Sequence, residues 1–211
     1  MFSELVDECV HIAGRPDCLV EIVRHANETM RDLSKRGDWP DDLVEELFEP
    51  PVDMHPVIWE PEVGRHRFRR ELFLEDGCGC ELTGTRPGRR QQRIDKFYYR
   101  SGNSFIIKTG CFPLRIAYYA YQPWLQYYPA NTRPSVFSIE DQEYTDSAQI
   151  DLVSNWLLER HNQTVQDGTL ARFFKTKQDP RQQMHYSAYE QNVQHLIRGE
   201  HIGQQVGRRT G

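Results

Sequence analysis

The C-terminal quarter of the chain carries the clearest helical pattern of hydrophobic positions. Apolar residues recur there at helical spacing, which predicts an amphipathic helix. Its stripe consists of Ile150, Val153, Trp156 and Leu157. The side chains that can cap it by accepting a free backbone N–H are Thr145, Asp146 and Ser147. The helix is expected to break at Asp167–Thr169, where the apolar pattern is interrupted.

Two further helices are predicted after this break. A short helix places Leu170, Phe173 and Phe174 on one face. Asp179 and Pro180 then begin a longer helix, because aspartate caps free N–H groups and proline fits the first turn. Its apolar stripe consists of Met184, Ala188, Tyr189, Val193, Leu196 and Ile197. Gly199 is expected to end this helix, and the tail 199–211 is expected to stay disordered until a partner binds it.

The N-terminal region has the pattern of two more amphipathic helices. The first spans Phe2–Ala13 and ends at a turn that begins with Gly14. The second runs from about Cys18 to about Lys35, and Gly37 ends it. A helical hairpin of this size cannot bury its own apolar stripe, so the C-terminal helices are expected to cover it.

The middle of the chain has the pattern of strands. Five prolines lie between positions 38 and 62, so this stretch is expected to be extended, with at most a short helical turn near Leu43–Phe48. Four segments after it are rich in β-branched and aromatic residues: Phe68–Leu74, Arg93–Arg100, Ser104–Lys108 and Leu114–Tyr121. The turn Arg100–Asn103 predicts a hairpin between the second and third of them.

Residues 122–144 form a long aromatic stretch without a regular pattern. A structureless loop of this length is uncommon inside a compact domain. We therefore expect it to pack over the sheet or against another chain.

These elements predict an α+β protein. The fold is expected to be a helical bundle of the N- and C-terminal helices with an inserted antiparallel β-sheet region. The predicted divisions are a helical hairpin at 1–50, a β-rich insertion with its aromatic loop at 51–144, packing helices at 145–198 and a flexible tail at 199–211.

Composition narrows the possible functions. The 211 residues carry a net charge of -5, which disfavours a general nucleic-acid binder. The longest apolar runs are shorter than the roughly 18 residues that a membrane span needs, so no membrane association is expected. The chain begins with an amphipathic helix, so no signal peptide is expected either. Five dispersed cysteines without an export signal favour reduced thiols in a cytoplasm.

The sequence contains no convincing catalytic or metal motif. Cys78 and Cys80 suggest a metal site that His55 or His66 could complete, but the spacing is too short and no second pair matches it. We therefore interpret this segment as a mobile loop with two thiols. None of the eight histidines lies in a recognisable nucleophile context, and no phosphate-binding glycine loop is present. No enzyme activity, cofactor or metal is predicted.

Two arginine clusters flank the predicted sheet and leave alternatives open. They are Arg65, Arg67, Arg69 and Arg70, and then Arg86, Arg89, Arg90 and Arg93. With the interleaved aromatic residues they could contact nucleic acid. The favoured interpretation is a solvated face, or a face that pairs with acidic residues of a neighbouring chain. The aromatic residues between Tyr118 and Tyr128 could line a carbohydrate groove or pack in a core or interface.

Segments near both ends of the chain resemble the head–tail adaptor proteins of tailed bacteriophages, also called neck, connector or head-completion proteins. The N-terminal segments are Ser3–Val6, Gly14–Asp17 and Arg36–Leu43. The C-terminal segments are Trp156–Arg160, Asp167–Ala171 and Tyr186–Leu196. The resemblance covers both helical parts, about half of the chain, and does not extend to the β insertion.

This resemblance implies a non-enzymatic virion protein of the neck, made in the host cytoplasm. Such proteins form a homo-oligomeric ring, usually of about twelve copies, below the portal protein and above a tail or nozzle protein. Double-stranded DNA passes through the ring without sequence-specific binding. The family often carries a C-terminal segment that inserts into the portal.

Candidate binding residues follow from this implied assembly. The portal-binding candidates are Ile197, Ile202, Gln204, Val206, Arg208 and Arg209. The candidates for a subunit or tail interface are Trp124, Tyr127, Tyr128, Phe137, Arg86, Arg89 and Arg90. The alternative function is a nucleic-acid-binding module that uses the arginine- and aromatic-rich sheet, and an uncharacterised hydrolase is a third.

Overall fold

The chain divides into two units, and one of them is built from both ends of the sequence. The computed structural model describes residues 1–51, 56–61, 67–85, 96–101, 104–129 and 154–207. The helical unit comprises Met1–Trp39 and Gln122–Gly211, and the β unit comprises Pro40–Tyr121. The protein is mixed α+β, as the pattern predicts.

The two N-terminal helices have the predicted boundaries. α1 spans Phe2–Ala13 and α2 spans Leu19–Arg36, with a 3₁₀ turn at Pro16–Cys18 between them. α1 ends at Gly14, whose φ of 66° lies in the left-handed region that glycine adopts without strain. Both helices are amphipathic, and their apolar stripes are buried in the core of the helical unit.

α3 spans Trp156–Thr176 without a break at Asp167–Thr169, so the predicted interruption is wrong. The non-helical backbone lies earlier instead, at His161. Gly168 is needed for packing: an added Cβ would lie 2.5 Å from Thr29 Cγ2. The N-cap is Asn155, whose side chain accepts the N–H of Leu158 at 3.1 Å. The predicted caps Thr145, Asp146 and Ser147, together with Ile150 and Val153, lie outside the described residues.

α4 spans Arg181–Gly207 and begins as predicted. Asp179 Oδ1 accepts the backbone N–H of Arg181 at 2.9 Å. The helix continues through Gly199, so the predicted end there is wrong. A Cβ at Gly199 would meet nothing within 4 Å, which means that this glycine lies in open space. An exposed glycine weakens a helix by only about 1 kcal/mol, and a long helix tolerates that.

Side chains from all four helices form one core. Trp39 is only 2% exposed, donates its indole N–H to the Leu33 carbonyl at 2.9 Å, and packs on Trp156 with ring centroids 5.9 Å apart. The largest fully buried side chains of this core include Trp39, Phe2, Phe173, Phe174, Leu5, Ile22 and Leu33. The stripe of the helical hairpin is therefore covered by the C-terminal helices.

The β unit contains two sheets rather than one. The strands are β1 Leu43–Phe48, β2 Val57–Trp59, β3 Arg67–Glu75, β4 Thr83–Thr85, β5 Phe97–Ser101, β6 Ser104–Lys108 and β7 Leu114–Tyr121. One sheet has the order β1-β7-β3, and the other has the order β2-β6-β5-β4. β5 and β6 form the predicted hairpin, which closes at the pair Ser101 and Ser104.

Two predictions for the β unit are wrong. Leu43–Phe48 is a strand paired with β7, and the only helical turn beside it is the 3₁₀ segment Pro40–Asp42. Pairing with a strand about 70 residues away decided this conformation, and no local pattern reveals it. β4 and β5 are parallel, so the insertion is not wholly antiparallel.

Candidate interaction surface

A strap formed by residues 122–129 lies on the helical unit. Asn27 of α2, only 3% exposed, holds this strap. Its Oδ1 accepts the N–H of Leu125 at 2.7 Å, and its Nδ2 donates to the Leu125 carbonyl at 3.1 Å. A single amide thus satisfies both backbone groups of a buried strap residue. The sequence analysis missed Asn27, because a polar residue in an amphipathic helix has no local sign of such a role.

The strap contains three of the predicted interface residues. Tyr127 donates its hydroxyl to Asp7 at 2.8 Å, and the backbone N–H of Tyr128 donates to Ser3 Oγ at 2.8 Å. Trp124 remains 43% exposed. The described part of the strap therefore packs on the helices of its own chain, which neither expected alternative, the sheet or another chain, had included.

The other predicted binding residues fall into three groups. Ile197 is partly buried against the core of the helical unit, so its side chain helps to pack α4 on that core. Ile202, Gln204 and Val206 lie on the last turns of α4. The remainder lie outside the described residues: Phe137, Arg86, Arg89, Arg90, Arg208 and Arg209. Of the candidates whose side chains the structure describes, Trp124, Tyr127 and Tyr128 lie together.

A pocket of about 290 Å³ opens where α2, α3 and α4 meet. Its lining residues are Arg36, Gly168, Ala171, Arg172, Lys175, Gln182, Tyr186 and Tyr189. Two of the cations are already paired: Arg36 binds both carboxylate oxygens of Glu190 at 2.7 and 2.8 Å, and Arg172 pairs with Asp32. Because these two guanidinium groups already bind carboxylates of the same chain, we interpret the pocket as a gap between packed helices and not as an anion-binding site.

A second polar contact joins α3 and α4. Asp167 is buried and lies 2.9 Å from Nδ1 of His185, while Gln163 donates to its other oxygen at 3.2 Å. The His185 ring stacks on Phe174 with centroids 5.5 Å apart. The segment predicted to break the helix instead provides the carboxylate that ties α3 to α4.

In the β unit, one buried carboxylate organises a loop. Asp76 Oδ1 accepts the backbone N–H groups of Cys78 and Cys80, each at 3.0 Å. Its Oδ2 lies 2.7 Å from Lys96 Nζ and accepts the Thr109 hydroxyl at 3.2 Å. The Lys96 ammonium and the two backbone N–H groups lower the pKa of Asp76 to about 2, because they stabilise its charged form.

A disulfide joins Cys78 to Cys111, with their Cα atoms 5.9 Å apart. The prediction that the cysteines are reduced is therefore wrong for this pair. The interpretation of Cys78 and Cys80 as two thiols of a mobile loop is also wrong, since Asp76 fixes the loop and only Cys80 remains free. Within the described ranges, no group of three or more His, Cys, Asp and Glu side chains is placed to hold a metal ion.

Arginine and aromatic side chains meet on the sheet β1-β7-β3. The guanidinium groups of Arg69 and Arg70 lie over the Tyr119 ring, 5.1 and 5.6 Å from its centroid. Arg115 lies over Phe73 and also pairs with Glu45 at 2.8 Å. Arg69, Arg70 and Arg115 thus stack on aromatic rings of their own chain. Arg65 and Arg93 lie outside the described residues.

No protein-family model matches the chain, and a search of the curated proteins finds no match. In the part of the chain that the structure describes, no helix has both the length and the hydropathy needed to cross a bilayer.

Proposed function

We propose that the protein is a structural virion component, a head–tail adaptor that forms a ring below the portal and connects the capsid to the tail. The observation that carries this proposal is the construction of the helical unit from N- and C-terminal segments of the chain, with α4 as its last helix. Among residues 181–199, whose burial the structure describes, the last buried position is Leu196, and the helix continues to Gly207. Such a helix end is suited to dock on a larger partner.

The residues that carry the resemblance to this family support the proposal by their positions. Gly14 ends α1 in the left-handed conformation, and the Gly37 backbone lies directly under the Trp39 ring. Gly168 gives the close crossing of α3 with α2, and Tyr189 packs against it from α4. Part of the resemblance therefore rests on positions that define the helical unit, while other residues of the same segments, such as Arg15 and Asp17, are exposed.

In this proposal the helical unit is a bundle, and the β region is inserted between its N- and C-terminal helices in the sequence. A ring of about twelve copies requires two different patches on each subunit, because neighbours in a ring contact heterologously. The exposed indole of Trp124 is one candidate contact. The net charge of -5 would let double-stranded DNA slide through the channel, since few cations would hold its phosphates.

Quantitative mass spectrometry of purified tailed particles tests this function. An adaptor is expected in the particle at a copy number close to that of the portal protein. If the chain is abundant in the cell extract but missing from the particles, the adaptor proposal is wrong. Free capsids that lack tails provide the control, because a neck protein should be depleted in those that have lost their connector.

The stacked arginines favour a nucleic-acid-binding module as the second candidate. Arg69, Arg70 and Tyr119 form a partly exposed cationic and aromatic group. This candidate predicts that the isolated chain binds short DNA or RNA with an affinity that falls steeply between about 50 and 200 mM salt. Replacing both Arg69 and Arg70 with alanine should weaken binding, whereas Arg24→Ala in the helical unit should not.

A further inference from the structure

Three cysteines gather in one part of the β unit. Cys78 and Cys111 form the disulfide, and Cys80 is a free, exposed thiol two residues from Cys78. Cys78 is also exposed. An exposed disulfide beside a free thiol is the arrangement in which thiol–disulfide exchange takes place.

Hydrogen bonds hold both sides of this cluster in place. Asp76 Oδ1 binds the N–H groups of Cys78 and Cys80, and Gly79 between them turns the chain with φ of 75°. On the opposite side, Cys111 donates its N–H to Thr109 Oγ1 at 3.2 Å, and its carbonyl accepts the N–H of Gly77 at 3.3 Å. The same carboxylate therefore fixes both sulfur-bearing residues of this turn, and one of them, Cys78, is bonded to Cys111.

Lys96 lies beside this turn. Its ammonium is bound to Asp76 at 2.7 Å. Asp76 has the larger effect in raising the pKa of Lys96, and Cys80 contributes in the same direction. The thiolate of an exposed cysteine is the attacking form in disulfide exchange.

We propose that Cys78, Cys80 and Cys111 form a thiol–disulfide exchange site in which Cys80 and Cys78 alternate as partners of Cys111. The Cys80 thiolate attacks Cys111 Sγ, a new Cys80–Cys111 bond forms, and the Cys78–Cys111 bond breaks. Cys78 leaves as a thiolate and takes up the proton that Cys80 released. One disulfide is present before and after, so the step needs neither an oxidant nor a reductant.

Disulfide mapping of the full-length protein tests this proposal. The protein is incubated at pH 8, free thiols are trapped with N-ethylmaleimide after acid quenching, and the bonded cysteines are reduced and labelled with iodoacetamide. Tandem mass spectrometry then assigns each label to Cys78, Cys80 or Cys111. The wild type is expected to contain both pairings of Cys111, in a ratio that does not change with protein concentration.

Two variants make the outcome decisive. Cys78→Ser should still form a disulfide, now between Cys80 and Cys111, whereas Cys80→Ser should contain only Cys78–Cys111. Cys9 is an internal control, because burial raises its pKa to about 12. N-ethylmaleimide should therefore not label Cys9 while the protein is folded. The proposal fails if wild-type Cys80 is always free and Cys78→Ser leaves Cys80 and Cys111 both unpaired.

Discussion

Single buried polar side chains connect segments of this protein that lie far apart in the sequence. Asn27 binds the backbone of Leu125, 98 positions later, and Asp76 binds Thr109 and Lys96. Asn27 and Leu125 are both 3% exposed, so removing the amide leaves buried backbone groups without water to replace it. Asp76 is buried too, but its partner Lys96 is 36% exposed, so water can replace part of that interaction.

Asn27→Ala should destabilise the helical unit by about 2–3 kcal/mol, because the N–H and carbonyl of Leu125 lose their buried partners. Urea unfolding measures the loss, and hydrogen exchange should show faster exchange of the Leu125 amide. Gln183→Ala, an exposed change on α4, is the control and should lie within about 0.5 kcal/mol of the wild type. Equal stability of the two variants would contradict the clamp.

Asp76 should give the β unit a stability that depends on acid pH. Its pKa is depressed to about 2 in the folded protein, below the value of about 3.9 of an unfolded chain. The stabilisation is therefore complete above about pH 4 and is lost as the pH falls through about 2.

Thermal unfolding from pH 6 to pH 2 checks this dependence. The wild type should melt at a higher temperature than Asp76→Asn near neutral pH, and the gap should narrow between about pH 4 and pH 2. A gap that stays constant over this range would show that Asp76 does not titrate in the way its partners require.

At the scale of elements, the packing of the helices depends on glycine, which has no side chain to keep a neighbouring helix away. Gly168 allows α3 to approach α2 and α4, since an added Cβ would lie 2.5 Å from Thr29 Cγ2 and 2.8 Å from Tyr189 Cδ2. Both distances are shorter than the contacts that folded proteins tolerate, so the helices would have to move apart. The glycine thus sets the spacing of three helices.

Gly168→Ala should destabilise the helical unit by about 1–3 kcal/mol through overpacking. Gly199→Ala on α4 is the matched control, because its Cβ would meet nothing within 4 Å. It should be neutral or stabilise the helix by up to about 1 kcal/mol. Chemical denaturation measures both changes, and a neutral Gly168→Ala would show that the crossing can relax.

The glycines also explain which element boundaries were predictable. Gly14 and Gly37 follow complete amphipathic stripes, and α1 and α2 end beside them as predicted. Gly168 and Gly199 resemble these two glycines in the sequence, yet α3 continues through Gly168 and α4 continues through Gly199. Only the three-dimensional neighbours distinguish a glycine that ends a helix from one that lets another helix approach.

Long-range pairings account for the rest of the differences. β1 pairs with β7, about 70 positions later in the chain, and Cys78 is disulfide-bonded to Cys111 at a sequence separation of 33. Periodicity reports local conformation, so it identified β3, β6 and β7 but gave no sign of these partners. The interface candidates Trp124, Tyr127 and Tyr128 were found from aromatic content, whereas their anchor Asn27 was not.

At the scale of the whole molecule, different parts of α4 serve folding and the proposed docking. Among the α4 residues whose burial the structure describes, 181–199, the last buried one is Leu196, and we propose that the residues after Gly199 serve docking rather than the core. A chain truncated before Gly199 should keep the thermal midpoint of the full chain within a few degrees. The same truncation should abolish binding to the portal.

Co-sedimentation with assembled portal rings measures that binding. Retained binding by the truncated chain would remove α4 from the proposed contact, while a large loss of thermal stability would show that the last turns belong to the core. A Gln183→Ala chain, with an intact C-terminus, should bind the portal as the full chain does.

The division of the helical unit between both chain ends also determines the order of events on the ribosome. α1 and α2 are synthesised before the β unit, and the helices that cover their apolar stripe are synthesised after it. The β unit, Pro40–Tyr121, is contiguous and can complete its sheets while the nascent chain is still growing. The apolar face of α1 and α2 therefore stays uncovered until about 120 further residues have been added, and we expect a chaperone to shield it during that time.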